Sequence, residues 1–441
     1  MYTVGLYTLG CKVSQYETEA VAEGFEAAGF AVRPFDEKND VYVINTCTVT
    51  RESDRKSRQV IRRAIKTNPD AIVAALGCYT QRTPGEVAQI KGVDIVLGTN
   101  DKMSVIPLAL ELLEKRREEP LVSITDVGCA DFESMRITRA PRTRAYLKIE
   151  DGCEAKCTYC AISDARGRVR SKPKDEVIEE VEALCKSGIR EIVLTGIETG
   201  SYGKDFDTPY TLADLIVELD RRGSCERIRL GSLAPELVGR DFVEKIKDVK
   251  ILAPHFHISM QSGSDRVLAA MKRRYTRARA IENIMRLKAA FPTCSFTTDL
   301  MVGFPGESEE DFELTCSFVR EVGLLDAHVF AYSRRSGTPA ASYPGQIDEA
   351  EKRARSERLI RLKNEVRDSV LDGIIASKKP LSAIAETLCD DGFYTAHSDS
   401  YVEIKFAANG RQNLTGECVS IVPVSHKDGI VYGELADSEQ A

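Results

Sequence analysis

The chain has 441 residues, 43% of them hydrophobic and 29% charged, with 13 cysteines and a formal charge of -7. This composition excludes a disordered, collagenous or coiled-coil protein and fits a folded chain of two or three domains. No apolar run approaches the ~18 residues of a membrane helix, and MYTVGLYTLGCKV lacks the basic flank and long apolar stretch of a signal peptide, so a cytoplasmic protein is expected.

That compartment keeps thiols reduced, and a chain this long builds a core without staples, so metal or redox chemistry accounts for the cysteines better than a disulfide framework. The acidic total argues against a wholly basic nucleic-acid binder but leaves room for a local basic face.

In chain order, VGLYTL before Cys11, DVYVIN before Cys47, AIVAALG before Cys78 and DIVLG near residue 95 are short apolar runs separated by amphipathic stretches. They predict an open parallel sheet over residues 1–120, with the three cysteines one or two positions past strand ends. Strand ends on one edge of such a sheet form its ligand crevice, where residues distant in sequence converge. Residues 121–140 read as a linker. Within 141–370, AYLKIE, EIVLTG, RIRLGS, HFHISM, SFTTDLMVG and AHVFAYS alternate with helical stretches. They predict a partial (βα)6 barrel with its chemistry in the loops after the strands. Short alternating runs over 375–441 predict a small antiparallel β-barrel.

The sharpest motif follows the first barrel strand: Cys153, Cys157 and Cys160 in CEAKCTYC. Three thiolates at this spacing bind three corners of a cubane iron-sulfur cluster and leave the fourth iron open to a chelating ligand. A structural zinc site is the alternative; zinc usually takes four protein ligands, and no fourth Cys or His stands close in sequence. Cys11, Cys47 and Cys78 each read alone as small buried hydrophobes. At three equivalent strand ends they suggest a second three-thiolate cluster, again with an open iron. The other seven cysteines show no ligand spacing.

The CEAKCTYC loop, with Tyr159 before its last cysteine, resembles the radical S-adenosylmethionine superfamily. The resemblance implies a partial barrel and S-adenosylmethionine held by its amine and carboxylate on the open iron. Reduction there yields methionine and a 5'-deoxyadenosyl radical. The whole chain, with its dispersed N-terminal cysteines and a terminal barrel similar to TRAM domains, resembles the methylthiotransferases. NTCTVT followed by DRKSRQVIRRA is similar to the branch acting on threonylcarbamoyladenosine beside the tRNA anticodon. Departures from the family are Ser14 for a frequent Asn, Ser163-Asp164 for a Pro-aromatic pair, and Ala234 for a frequent acid.

The family resemblance implies two 4Fe-4S clusters on Cys11, Cys47, Cys78, Cys153, Cys157 and Cys160, with both open irons facing one cavity. It implies S-adenosylmethionine contacts from Tyr159, Thr195, Gly196, Glu198, Ser232, His257, Gln261 and Gly303, although glycine-rich loops after strands are also ordinary turns. Between Arg51 and Lys66 seven basic residues face two acidic ones. Arg55, Arg58 and Arg62 there, with Arg166, Arg168 and Arg170 beside the cluster loop, are candidate RNA contacts, though a charge-rich helix is often merely solvated. From Ile375 on, five Lys or Arg stand against ten Asp or Glu. An RNA role there rests on the TRAM resemblance, with Tyr394, Tyr401 and Phe406 as stacking groups or as core.

The expected activity is methylthiolation of carbon 2 of N6-threonylcarbamoyladenosine at position 37 of tRNA by a monomer supplied by a low-potential electron donor; the sulfur source is left open. The alternatives are isopentenyladenosine or a ribosomal protein as substrate, or a non-catalytic iron-sulfur RNA-binding protein.

Overall fold

Six parallel strands, ordered β2-β1-β3-β4-β5-β6, build the first part of the chain. They are β1 (Thr3–Thr8), β2 (Ala31–Arg33), β3 (Val41–Thr46), β4 (Ile72–Gly77), β5 (Ile95–Leu97) and β6 (Leu121–Ser123). The computed structural model describes residues 1–436 apart from Asn409 and Gln412. β3 and β4 are buried along their whole length, which is why their sequences read as near-continuous apolar runs. Between the strands run α1 (Lys12–Ala27), α2 (Arg51–Thr67), α3 (Cys78–Arg82), α4 (Pro84–Ala88) and α5 (Val105–Glu114). The Thr50 side chain caps α2 by accepting from the Ser53 amide, with Glu52 and Asp54 in the first turn. Only Ser57, Val60, Ile61 and Ala64 of α2 are buried, so most of its basic residues face outward.

The segment read as a linker contributes β6 and buries Met135 and Ile137. Its backbone is satisfied by side chains: Tyr16 donates its hydroxyl to the Met135 carbonyl at 2.5 Å, and the Ile137 amide donates to Glu180 at 2.8 Å.

The second part holds β7 (Arg144–Lys148), β8 (Glu150–Asp151), α6 (Ile162–Arg166), β9 (Arg170–Ser171), α7 (Lys174–Lys186), β10 (Glu191–Thr195), α8 (Leu212–Arg222) and β11 (Arg227–Leu230). It continues through α9 (Arg240–Ile246), β12 (His255–Gln261), α10 (Asp265–Ala270), α11 (Arg277–Ala290), β13 (Ser295–Val302), α12 (Glu309–Val322), β14 (Asp326–Ala331) and α13 (Glu349–Ser377). The parallel trios β7-β10-β11 and β12-β13-β14 meet through a bridge between Leu233 and Ile258, giving the six-stranded half-barrel. Alternation sends Ala145, Leu147, Ile192, Leu194, Ile228 and Leu230 into the helix-packed core. It leaves Arg144, Glu191, Arg229, His257 and Asp299 toward the lumen.

The last part is a closed barrel, β15-β16-β17-β19-β18. It comprises β15 (Leu381–Leu388), β16 (Phe393–Ser398), β17 (Glu403–Ala407), β18 (Cys418–Lys427) and β19 (Ile430–Leu435). The expected small antiparallel barrel is present, with one parallel seam, between β17 and β19. An odd number of strands cannot alternate direction all the way round a closed ring. Residues 437–441 of the expected last domain lie outside the described residues.

This barrel stops the lower end of the half-barrel, where its strands begin. Arg229 donates to the carbonyls of Ser398 and Asp399 at 3.0 and 2.9 Å, and the Tyr401 ring stacks on His255 with centroids 4.5 Å apart. Tyr401 holds this pose in the left-handed region, at φ 68°. Tyr394 and Phe406 are buried and stacked on each other inside the small barrel. The three aromatics proposed as RNA-stacking groups are thus two core residues and one interdomain plug. No helix among the described residues is long and apolar enough to cross a membrane.

Candidate functional site

The CEAKCTYC loop is pinched at its base by β8 and β9, which pair Asp151 with Arg170. A Cβ on Gly152, at φ +89°, would stand 1.8 Å from the Arg168 carbonyl oxygen, so only glycine fits the crossing. The Cys153 amide donates to Gly167 O, the Cys160 amide to Cys157 O and the Thr158 amide to Met271 O, which fix the loop without using the thiols. Cys153, Cys157 and Cys160 then line one cavity of about 890 Å³, with Lys156, Arg168 and Lys272. The Ile162 amide reaches Cys160 Sγ at 3.4 Å, and Arg273 Nη1 donates to Cys157 Sγ at 3.3 Å.

Burial pushes the Cys153 thiol up to about 12 and the Cys160 thiol up to about 11, so metal binding there must expel protons. Among the described residues, no three His, Cys, Asp or Glu side chains converge on a position for a single ion. That spacing suits a lone zinc poorly. A cubane seats each thiolate on a different iron, and three thiols around one cavity, with N–H donors aimed at two of them, fit that group.

The other trio sits on three neighbouring strands. Cys11 precedes α1, Cys47 directly follows β3, and Cys78 opens α3 directly after β4, in the order β1-β3-β4. A Cβ on Gly77, at φ +108°, would stand 2.5 Å from Asn45 Oδ1, so glycine is needed where β4 turns into Cys78. Cys11 is exposed, and Cys47 and Cys78 are buried. Burial pushes Cys78 up to about 11, and charge on Cys47 or Cys11 would push it further; Cys47 rises for the same reasons. Ser14 keeps a hydroxyl 3.9 Å from Cys11 Sγ.

Arg166 joins the two trios. It follows Cys160 on α6 and donates from Nε to Cys78 Sγ at 3.2 Å. Its other nitrogens hold Glu17 of α1 at 2.5 Å and Asp151 at 3.1 Å, and Lys148 and Lys102 complete the cluster by pairing with Glu17 at 3.0 and 3.1 Å. Burial alone would raise the Glu17 carboxyl, but Arg166, then Lys102 and Lys148, hold it well below the usual range.

Arg166 and Arg170 are 0% and 1% exposed, so the expectation that they contact RNA is corrected. Both turn inward, where with Lys102 and Lys148 they join the buried charge cluster around Glu17 and Asp151. Arg168 remains exposed beside Asp131. Arg55 and Arg62 lie on the outer face of α2, where Arg55 pairs with Glu52, and Arg58 donates to the Tyr79 hydroxyl at 2.9 Å.

The other candidate residues divide by height in the half-barrel. Thr195 and Gln261 end β10 and β12, and Gly196, Glu198, Ser232 and Gly303 follow strand ends. A Cβ on Gly196 would meet Glu150 Oε2 at 2.5 Å; the Glu198 amide donates to that oxygen, and burial pushes the Glu198 carboxyl up to about 7. Glu198 Oε1 in turn accepts the amide of Ala234 at 3.3 Å. Gln261, at φ 69°, keeps Oε1 buried with no hydrogen-bond partner among the described residues. Gly303 packs on Lys352 and donates its amide to Glu307. Tyr159 packs beside Met301, Phe304 and Tyr332. His257 lies lower, bonded to Thr297 at 3.0 Å and Asp299 at 3.2 Å, in the lumen rather than at the strand end. Sequence reasoning missed Arg273 as the partner of Cys157; KRRYTRAR shows positive charge there but not its target.

Residues 147–319 match the Radical SAM superfamily, and residues 3–98 match Uncharacterized protein family UPF0004. The chain is 40% identical over 440 residues to a Bacillus subtilis (strain 168) protein named threonylcarbamoyladenosine tRNA methylthiotransferase MtaB, covering 98% of this chain and 96% of that one. It is 34% identical to a tRNA-2-methylthio-N(6)-dimethylallyladenosine synthase of Natranaerobius thermophilus, covering 97% and 95%. Among solved structures, the radical S-adenosylmethionine methyltransferase TsrM of Kitasatospora setae superposes with a TM-score of 0.56 at 17% identity, over 77% of each chain, a likeness of fold. With near-complete coverage at this identity, and a Radical SAM match spanning the CEAKCTYC loop, the chain belongs to the radical SAM tRNA methylthiotransferase family.

Proposed function

We propose that this protein inserts a methylthio group at carbon 2 of N6-threonylcarbamoyladenosine at position 37 of tRNA. The observation that carries the reading is the contact of Arg166 with Cys78, which sets the loop of one cysteine trio against the other. Superfamily membership brings S-adenosylmethionine and a 4Fe-4S cluster, which we assign to Cys153, Cys157 and Cys160. We assign a second cluster to Cys11, Cys47 and Cys78. Bound, the first supplies the electron that cleaves S-adenosylmethionine, and the second holds the sulfur to be transferred. The target carbon bears an unactivated C–H bond, on which acid-base chemistry has no purchase.

The chain's own residues prepare the ground. Arg273 donates to the Cys157 sulfur and the Ile162 amide to that of Cys160, which orients both sulfurs in the loop. Thr195, Gly196, Glu198, Ser232, Gln261 and Gly303 stand at or just past strand ends of the half-barrel, and we assign them to S-adenosylmethionine. Tyr159 backs the cysteine loop. Arg55, Arg58, Arg62 and Arg168 face solvent in positions to meet RNA phosphates. We further propose a monomeric cytoplasmic enzyme served by a low-potential electron donor.

The threonylcarbamoyl substrate is preferred over the dimethylallyl one because identity to the correspondingly named relatives is 40% against 34%. An anaerobic assay of reconstituted protein with S-adenosylmethionine, reductant and each tRNA, read by nucleoside mass analysis, decides. Methylthio product from threonylcarbamoyl-tRNA alone is expected. Product from dimethylallyl-tRNA alone moves the substrate, and no 5'-deoxyadenosine from either means a non-catalytic protein.

A further inference from the structure

Between α2 and α3 on one side and the 333–342 loop after β14 on the other lies a cavity of about 930 Å³. Its walls hold Arg51, Arg58, Arg82, Arg334 and Arg335 but only two acids, Asp54 and Glu86. Asp54 is taken by Arg335 at 2.6 Å, and Glu86 accepts the Tyr79 hydroxyl at 2.9 Å. Among the described residues, Arg51, Arg58, Arg82 and Arg334 pair with no carboxylate. Arg58 reaches the Tyr79 hydroxyl, Arg82 the Ser336 carbonyl at 3.0 Å, and Arg334 the Ala341 carbonyl at 2.7 Å. Arg335 is 4% exposed, and its Nε is buried with no hydrogen-bond partner among the described residues.

This is a chain with 68 acids for 61 Lys and Arg. Four guanidiniums without carboxylate partners around one cavity therefore make a field opposite to that of the whole protein, and their repulsion is relieved when an anion enters. The planar guanidinium fork matches phosphate geometry better than that of any other anion common in macromolecules except the carboxylate.

The cavity also leads somewhere. Arg58 and Glu86 border a further depression of about 580 Å³ along α2, shared with Arg62, Lys66 and Lys91. Gly337 and Thr338 form the common wall with the cavity of Cys153, Cys157 and Cys160. Gly337 sits at φ +85°, and a Cβ there would stand 3.2 Å from Arg82 Nη2, so glycine keeps that wall low. The depression along α2, the arginine cavity and the cavity of the three cysteines are thus neighbours in series.

Resting on the tRNA-modifying reading, we infer that this arginine cavity binds the phosphodiester backbone flanking the nucleotide to be modified. A base turned out of its stack needs its neighbouring phosphates held, and contacts to phosphate set register. One wall belongs to the Cys47 domain and the other to the half-barrel, and Ala340 of the same loop donates its amide to Thr158 between Cys157 and Tyr159. Backbone bound here spans both trios.

The test is tRNA binding by the reconstituted full-length protein across a salt series, for wild type, the Arg82→Gln/Arg334→Gln pair and the Arg82→Lys/Arg334→Lys pair. At roughly 0.7 of log–log salt slope per single-strand phosphate contact, the Gln pair is expected to lose about 1.4 of slope and roughly ten-fold in affinity near 0.1 M salt. The Lys pair is expected to keep the wild-type slope. An unchanged Kd and slope for the Gln pair overturns the inference. So does a Lys pair as weak as the Gln pair, which would make the two arginines struts for Ser336 and Ala341. Wild type that modifies tRNA while the Gln pair binds it unaltered refutes the cavity alone. Wild type that binds no tRNA at any salt refutes the tRNA reading with it.

Discussion

Arg166 Nε lies 3.2 Å from Cys78 Sγ, so the helix that follows Cys153, Cys157 and Cys160 touches a cysteine of the other trio. The contact is held in place by Glu17 and Asp151, both buried and both bonded to the same guanidinium. One side chain thus ties α1, α3 and the half-barrel together.

Arg166→Ala should destabilise the protein by about 3–5 kcal/mol, because Glu17 and Asp151 stay buried but lose the hydrogen bonds this guanidinium gives them. Arg166→Lys keeps the charge but loses the fork and should fall between. Urea unfolding under anaerobic conditions measures both; a wild-type midpoint for the alanine variant would show that the cluster does not depend on Arg166.

Cys157→Ala should abolish formation of 5'-deoxyadenosine, whereas Cys47→Ala should retain it and lose the methylthio product. The readouts are deoxyadenosine and nucleoside mass analysis on the same reaction. Methylthiolated tRNA made at the wild-type level by either variant would refute the division of roles.

Glu191 is one of the carboxyls that contribute to the acid limit, beside Glu17, Asp151 and Asp299. Burial opposes its ionisation, but Arg229, then Arg144 and Arg227, hold its carboxyl down at about 2 from an ordinary 4.5. A depressed carboxyl stabilises the fold above its unfolded pKa, and that share is lost as pH falls through 4.5 toward 2. At about 1.4 kcal/mol per pKa unit, the share is on the order of 3 kcal/mol. Glu191→Gln should therefore be less stable than wild type at neutral pH, with the gap closing below about pH 4. Thermal melting from pH 7 to 3 checks this; a gap independent of pH would place the effect elsewhere.

Tyr401 separates ring from backbone. Both Tyr401→Ala and Tyr401→Gly lose the stack on His255, but only glycine relieves the left-handed backbone, so the glycine variant should be the more stable of the two by about 1 kcal/mol. Limited proteolysis between α13 and β15 reports loosened docking, and equal melting of the two variants would argue that the turn relaxes.

Much of the fold was legible because its signals are local. VYVINT and IVAALG announce buried parallel strands, and the strand-end positions of Cys11, Cys47 and Cys78 follow from where those runs stop. The CEAKCTYC spacing needs no partner to be read. What stayed hidden depends on partners far along the chain. Arg166 and Arg170 look like any basic surface until Glu17 and Asp151 are placed beside them. Tyr394 and Phe406 alternate with polar residues, so exposed and inward faces of a small barrel cannot be told apart before closure. β6 is three residues in an irregular stretch, too short for periodicity to reveal.

The Tyr401 plug makes the half-barrel a blind well rather than a pipe. Its floor is made by the Tyr401 ring on His255 and by the Ser398 and Asp399 carbonyls that hold Arg229. The start of the barrel strands is thereby tied to a turn of the last domain in the chain. A chain cut after Ser377 would keep all six cysteines yet leave Arg229 and His255 without that cover.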